Sequence, residues 1–184
     1  MHMTDLSPEM LHRLLHCDPV MGVLTWKPRT PDLFNESKYS ADRLCTRWNT
    51  RLAGKFALYT ISDGYKTGRI FNRNYKAHRV IWAMVHGKWP ADQIDHINGI
   101  RGENRIENLR EVTNAENMRN AAMPRINTSG VVGVHWYEKN GRWVAQIKAN
   151  GKTKHLGSFI DKADAIAARA AAEIEYGYHE NHGR

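Results

Sequence analysis

The spacing of apolar positions changes period several times along the chain. Met10, Leu11, Leu14 and Leu15 form one stripe at helical spacing behind Ser7-Pro8, an N-cap residue followed by proline at the first helical position. A short amphipathic helix over residues 7–16 is predicted. From 22 to 71 the period shortens to alternating runs rich in Val, Thr, Tyr and Trp, punctuated by Gly54, Gly64 and Gly68. That pattern predicts strands and loops of low regularity, with 56–62 and 66–71 the better strands. Helical spacing returns over 77–86, where Gly87 supplies a stop and Pro90 prevents continuation. A Gly/Asn/charged loop follows Asp95-His96, then a short apolar segment at 109–112. Thr113-Asn114-Ala115-Glu116 is a capping box that starts a helix near Asn114. Residues 123–129, with Pro124, Asn127 and Ser129, read as a linker. Beyond it, the alternating runs 130–137, 142–149 and 152–159 are joined by Asn140-Gly141 and Asn150-Gly151, a dipeptide favoured in tight hairpin turns. Three antiparallel strands are expected, followed by an Ala-rich helix over 162–176 with Ile166 and Ile174 on its apolar side.

Composition narrows the class. The 184 residues carry 27 Lys+Arg against 19 Asp+Glu, a net charge of +8. With a mean hydropathy of −0.63 and no run of about 18 apolar residues, a membrane span is not expected. Met1-His2-Met3-Thr4 has no basic segment leading into an apolar stretch, so no secretory signal is expected and the expected location is the cytoplasm. Cys17 and Cys45 form no CxxC pair, which argues against a disulfide framework and a Cys-based zinc site. Residues 1–80 hold 13 Lys/Arg against 7 Asp/Glu, and 130–157 hold Lys139, Arg142, Lys148, Lys152 and Lys154 against Glu138 alone. Between them, residues 81–100 hold Lys88 against Asp92 and Asp95. Two basic zones thus flank a stretch that tolerates carboxylates, which suits an anionic partner, although charge by itself does not separate nucleic acid from another acidic surface.

The chemistry concentrates in Ile94-Asp95-His96-Ile97-Asn98-Gly99, Asn108-Leu109-Arg110 and Glu116-Asn117-Met118-Arg119-Asn120. Asp95 offers a hard oxygen ligand and His96 an imidazole on adjacent residues of an extended segment, where alternation sends the two to opposite faces. Asn98-Gly99 gives that strand a natural end. His12 and His16 stand four apart, but lack the Glu of a metalloprotease helix and a third ligand nearby, and read as a surface pair.

The order Asp95-His96, eleven residues, Asn108, eight residues, Asn117, together with Ala77-His78-Arg79 and Arg105-Ile106-Glu107-Asn108-Leu109-Arg110, resembles the HNH endonucleases. The similarity is to the variant with Asn in the last motif position, found in phage and intron-encoded homing enzymes. It covers residues 50–120 and reaches faintly into 14–19 and 22–26. The resemblance implies a ββα-metal finger, two strands and a helix around one divalent cation. It implies Asp95 and Asn117 as ligands, with oxygens suited to Mg²⁺ or Mn²⁺, and His96 as the general base toward water. Asn108 is implied to hold the loop and orient the imidazole by a hydrogen bond. Asn120 is a further outer-shell candidate, while His78 and Arg79 fit either packing or phosphate contact. The products implied are a 5′-phosphate and a 3′-hydroxyl.

Residues 129–176 resemble the AP2 DNA-binding domain, a three-stranded antiparallel sheet on one helix. The matching segments are Gly130-Val131-Val132-Gly133-Val134, Gly141-Arg142-Trp143-Val144-Ala145-Gln146-Ile147 and His155-Leu156-Gly157-Ser158-Phe159. Alternation places Val134, Trp136, Trp143, Ala145, Ile147 and Leu156 toward the helix. It leaves His135, Tyr137, Arg142, Val144, Gln146, Lys148, Thr153 and His155 outward. The resemblance implies that the outward face enters the major groove. His135, Tyr137, Thr153 and His155 stand where the plant-type domain has Arg or Trp, so a target sequence does not carry over. Arg142, Gln146 and Lys148 are the better contact candidates, with His135, Tyr137 and His155 beside them.

The expectation is an α+β chain in four parts: a strand-rich DNA-binding or support region over 1–75, the nuclease core over 76–122, a linker over 123–129 and an AP2-like domain over 130–184. The expected activity is metal-dependent cleavage or nicking of double-stranded DNA by a homing-type enzyme, one motif per chain implying a monomer on DNA. The alternatives are a phage packaging or restriction-like nuclease of loose specificity, and a DNA-binding regulator with a non-catalytic finger.

Overall fold

The computed structural model describes residues 6–35, 38–119, 123, 127–149, 151–178 and 182. Among the positions singled out above, Met1, His2, Met3, Thr4, Asn120, Pro124 and Asn150 lie outside the described residues. The chain is mixed α/β and divides into two compact units, Met1–Val112 and Thr113–Arg184.

The first unit opens with helix α1, Pro8–Leu14, where the Ser7 hydroxyl accepts a hydrogen bond from the Met10 amide at 3.2 Å. This helix stops two residues short of the expected His16. Leu15 turns extended and begins β1, Leu15–Asp18, which pairs antiparallel with β2, Val23–Trp26. The Leu14 carbonyl at the end of the helix accepts from the Lys27 amide at 3.0 Å, and the Asp18 carboxylate closes the turn by accepting from the Val20 and Met21 amides. His16 therefore shares no helix with His12, whose Nε2 faces the Met84 carbonyl at 3.0 Å.

The strand pattern expected from 22 to 71 is interrupted by a second helix, α2, Ala41–Leu52, with Ser40 as its N-cap. Its apolar residues Leu44, Cys45, Trp48 and Leu52 recur at helical spacing, a signal diluted by Arg43, Arg47 and Arg51 around them. Beside it the Arg29 guanidinium lies 3.9 Å from the Trp48 ring centroid, with Trp26 and Phe71 within 5.4 Å.

Strands β3 (Thr60–Ser62), β4 (Tyr65–Ile70) and β5 (Arg73–Lys76) form an antiparallel sheet in that order. β3 is shorter than the expected 56–62 because Leu58 takes a positive φ of 51°. It does so against Gly68, where a Cβ would lie 2.7 Å from the Leu58 Cα. Helix α3, Ala77–His86, ends on the left-handed Gly87 as expected. Its buried stripe of Val80, Ile81 and Ala83 packs with Leu11, Leu14, Leu15 and Ile70 in the core of this unit. On that core rests an antiparallel hairpin of β6, Gln93–His96, and β7, Leu109–Val112, through Ile94 and Leu109.

The second unit begins with helix α4, Asn114–Arg119, capped as the sequence predicts. The Thr113 amide donates to Glu116 Oε2 at 2.8 Å, and the Glu116 amide donates to Thr113 Oγ1 at 3.3 Å. Strands β8 (Val134–Tyr137), β9 (Arg142–Ala149) and β10 (Lys152–Phe159) form an antiparallel sheet with β9 central. Helix α5, Lys162–Glu175, packs on it through Ala165, Ile166 and Ala168, against Val134, Trp143, Ala145, Leu156 and Phe159. β8 starts four residues later than expected because Gly133 adopts a left-handed φ of 79°. That turn brings Gly133 so close that a Cβ would meet the Gln146 carbonyl oxygen at 2.3 Å.

Two apolar side chains depart from their expected places. Ile174 is 84% exposed, and the inward position is taken by Arg169, which is 3% exposed. Its Nη1 donates to the Gln146 carbonyl at 2.7 Å and its Nε to Glu173 at 2.8 Å, so the charge is buried with partners. Trp136 is also exposed, edge-on to Trp143. Among the described residues no helix is long and apolar enough to cross a membrane.

Candidate active site

The β6–β7 hairpin positions the two central side chains. Its register sets Asp95 opposite Arg110 and His96 opposite Leu109. Both Asp95 and His96 are buried, at 8% and 3% exposure. The cross-strand pairing gives Asp95 its counter-ion: Arg110 Nε and Nη2 both donate to Asp95 Oδ2, at 3.0 and 2.8 Å. Arg110 had no assigned role in the sequence, yet it is legible as the residue directly across a two-stranded ladder from the carboxylate.

His96 is enclosed by rings. His78 stands edge-on at 5.0 Å between centroids, and Tyr65 is 5.9 Å from His96 and 5.2 Å from His78. Burial holds the His96 imidazole below its ordinary proton affinity, so the ring is neutral at neutral pH. Burial, helped by the neighbouring His96, Lys76 and Arg79, pushes His78 down to about 3. The Nδ1 of His78 has no hydrogen-bond partner among the described residues. Arg79 spans outward from the same helix to the carbonyls of Asp92 and Pro90, at 2.9 and 3.2 Å, and ties the first turn of α3 to the segment that leads into β6.

The loop between the strands is held by Asn108. Its Oδ1 accepts from the Asn98 amide at 3.0 Å and its Nδ2 donates to the Glu103 carbonyl at 2.8 Å. The hydrogen bond expected from Asn108 to the imidazole comes from another residue: His96 Nε2 faces Asn104 Oδ1 at 3.1 Å. Asn104 is 1% exposed, although its place in a Gly/Asn/charged loop reads as solvated. Tertiary packing, not local sequence, buries it.

Asn117 belongs to the second unit, where it lies partly buried on α4 with its amide donating to the Thr113 carbonyl at 3.0 Å. Asp95 and Asn117 both present oxygen donors, a chemistry that suits a hard divalent cation. Among the described residues no three His, Cys, Asp or Glu side chains are grouped so as to hold a metal ion.

On the sheet of the second unit, the register sets Tyr137 opposite Arg142, Gln146 opposite His155 and Lys148 opposite Thr153. These side chains share the face away from α5, with His135 opposite Val144 on the same side. All are exposed except Gln146, which is half-buried, and Val144, which is buried. Lys154 departs from this face: its Nζ donates to the Tyr176 hydroxyl at 2.6 Å.

The hairpin, the helix α3 before it and the α4 segment after it coincide with a known family. Residues 75–119 match the HNH endonuclease family, and the chain carries an HNH endonuclease domain there. It is 31% identical over 94 residues to Protein 3.8 of Escherichia phage T7, covering 50% of this chain and 78% of that protein, and it belongs to the family of that phage protein. No solved structure matches it significantly.

Proposed function

We propose that this protein is a metal-dependent DNA endonuclease of the homing type, which hydrolyses a phosphodiester bond in double-stranded DNA to leave a 5′-phosphate and a 3′-hydroxyl. The observation that carries this reading is the buried His96 next to the buried Asp95 on one hairpin of the HNH domain. A neutral imidazole accepts the proton that water gives up as it attacks phosphorus. Asp95 and Asn117 are the proposed oxygen ligands of one divalent cation, Mg²⁺ or Mn²⁺, which when bound supplies charge neutralisation at the phosphate. Asn108 keeps the loop in place, so that the base meets substrate in one orientation.

The face of the β3–β5 sheet that carries Tyr65 supports a role for the N-terminal part in holding DNA. Register puts Thr67 beside Lys76 and Arg69 beside Asn74 on that face. Lys76 Nζ lies 4.1 Å and the Arg101 guanidinium 5.1 Å from the Tyr65 ring, which itself adjoins His96. A cationic track beginning beside the base suits a phosphate backbone. The three-stranded sheet on α5 supports an AP2-like reading domain, with Arg142, Gln146 and Lys148 as its principal contacts and His135, Tyr137 and His155 around them. The enzyme acts as a monomer on DNA in this reading.

Supercoiled plasmid incubated with the protein and Mg²⁺ or Mn²⁺ is expected to give nicked or linear product, suppressed by EDTA and resealed by DNA ligase without end repair. Ends that ligase rejects until the 3′-phosphate is removed and the 5′-hydroxyl is phosphorylated would refute the hydrolytic polarity. Intact plasmid under every metal would favour the regulator with a non-catalytic finger.

A further inference from the structure

Among the described residues Asn104 holds one ring nitrogen of His96, and the way Asn104 itself is held makes that contact a built feature of the fold. Both partners are buried, so water does not compete for the 3.1 Å bond between His96 Nε2 and Asn104 Oδ1. The Asn104 side chain has no other anchor: its Nδ2 is buried with no partner among the described residues. Its backbone is fixed from two sides instead. Asn108 holds the preceding carbonyl, that of Glu103, at 2.8 Å. The turn between β1 and β2 packs directly beneath, with the Ile106 amide donating to the Pro19 carbonyl at 2.9 Å. Gly22, left-handed at φ 63°, approaches so closely that a Cβ would lie 2.4 Å from Asn104 C and Arg105 N.

We propose that Asn104 is a positioning residue that fixes the tautomer of His96. An amide oxygen accepts and does not donate, so the partner nitrogen Nε2 carries the ring proton. Nδ1 then keeps the lone pair, and it is the atom available to take a proton from water. The chain of support runs from Gly22 and Asn108 through the backbone of residues 103–105 to the Asn104 amide and from there to the ring. An unpartnered Nδ2 is the cost of that arrangement, since the amide is oriented for the imidazole and not for its own full satisfaction. This inference rests on the proposed role of His96 as the base.

The test uses the metal-free full-length protein labelled with ¹⁵N, so that it does not depend on nuclease activity. At pH 8 the His96 ring nitrogens are expected to show the Nε2–H tautomer in the wild type. Asn104→Leu, close in size but without an acceptor, is expected to give a mixture of tautomers, and Asn104→Asp, which keeps the oxygen, to restore the wild-type pattern. In the cleavage assay Asn104→Leu should lose about tenfold or more in kcat with KM nearly unchanged, the scale of misaligned general-base catalysis. Asn104→Asp should recover part of that loss. An unchanged tautomer in Asn104→Leu overturns the proposal even if the wild type cuts DNA normally. A tautomer shifted in Asn104→Leu, when the wild type itself cuts no DNA, sustains the positioning role and removes the nuclease reading. Gly22→Ala, which perturbs Asn104 only through its backbone, is expected to shift the tautomer in the same direction, and a wild-type spectrum from that folded variant would remove the β1–β2 turn from the chain of support.

Discussion

At the level of single residues, the site is a set of buried polar groups whose partners are mostly found across a ladder or around a loop. Asp95 and His96 were legible because an adjacent carboxylate and imidazole, with Asn108 and Asn117 at family spacing, have few other readings. Their neighbours were less legible. Arg110 follows from the hairpin register, but Asn104 sits in a segment whose composition signals exposure, and only the β1–β2 turn packed against it explains its burial. His78 offers a prediction at this scale. With a folded pKa of about 3 against an ordinary 6.5, the unfolded chain binds more protons at this residue once the pH drops below 6.5. Its contribution is therefore fully present above about pH 6.5 and is lost progressively as the pH falls toward 3. Urea midpoints should drop between pH 7.5 and 5, and His78→Phe should flatten that decline; a variant that declines as steeply as the wild type would assign the acid sensitivity elsewhere.

Among the elements, the strongest sequence signals were the punctuated ones. Gly87 stops α3, Thr113 and Glu116 cap α4, and the alternating runs after residue 134 fall on three antiparallel strands. What escaped was helix α2, whose apolar stripe is thin and broken by arginines, and the inner face of α5. There the Ala-rich pattern suggested Ile174, whereas the sheet receives Arg169 because its guanidinium reaches the Gln146 carbonyl that the close approach of Gly133 leaves beside it. Removing that charge leaves a buried carbonyl and Glu173 without their donor. Arg169→Met is expected to cost about 3 kcal/mol in the stability of the second unit, read by the fluorescence of Trp136 and Trp143 during denaturation. Combining it with Glu173→Gln should return part of the loss. A single variant as stable as wild type would show that the buried guanidinium contributes specificity of packing and no net stability.

Across the whole molecule, the net charge of +8 is less evenly available to DNA than the sequence suggested. Of the basic residues on the C-terminal sheet, Arg142 and Lys148 share the outward face, whereas Lys152 and Lys154 alternate to the side of α5 and Lys154 engages Tyr176. A cation that binds a phosphate releases a counterion, so removing one such cation lowers the salt dependence of binding by about one unit of slope. Arg142→Ala and Lys148→Ala should each weaken DNA binding and reduce the slope by about one, while Lys152→Ala leaves both nearly unchanged. Equal effects from all three would mean that the sheet attracts DNA by its general charge and not by its outward face.

His96, buried on the hairpin of the HNH domain, is the proposed base of a DNA-cutting reaction. The most direct measurement compares wild type and His96→Ala on the same plasmid, with binding and cleavage followed separately in the presence of Mg²⁺ or Mn²⁺. His96→Ala is expected to bind DNA with affinity close to the wild type but to leave the plasmid uncut. Undiminished cleavage by that variant would contradict that role.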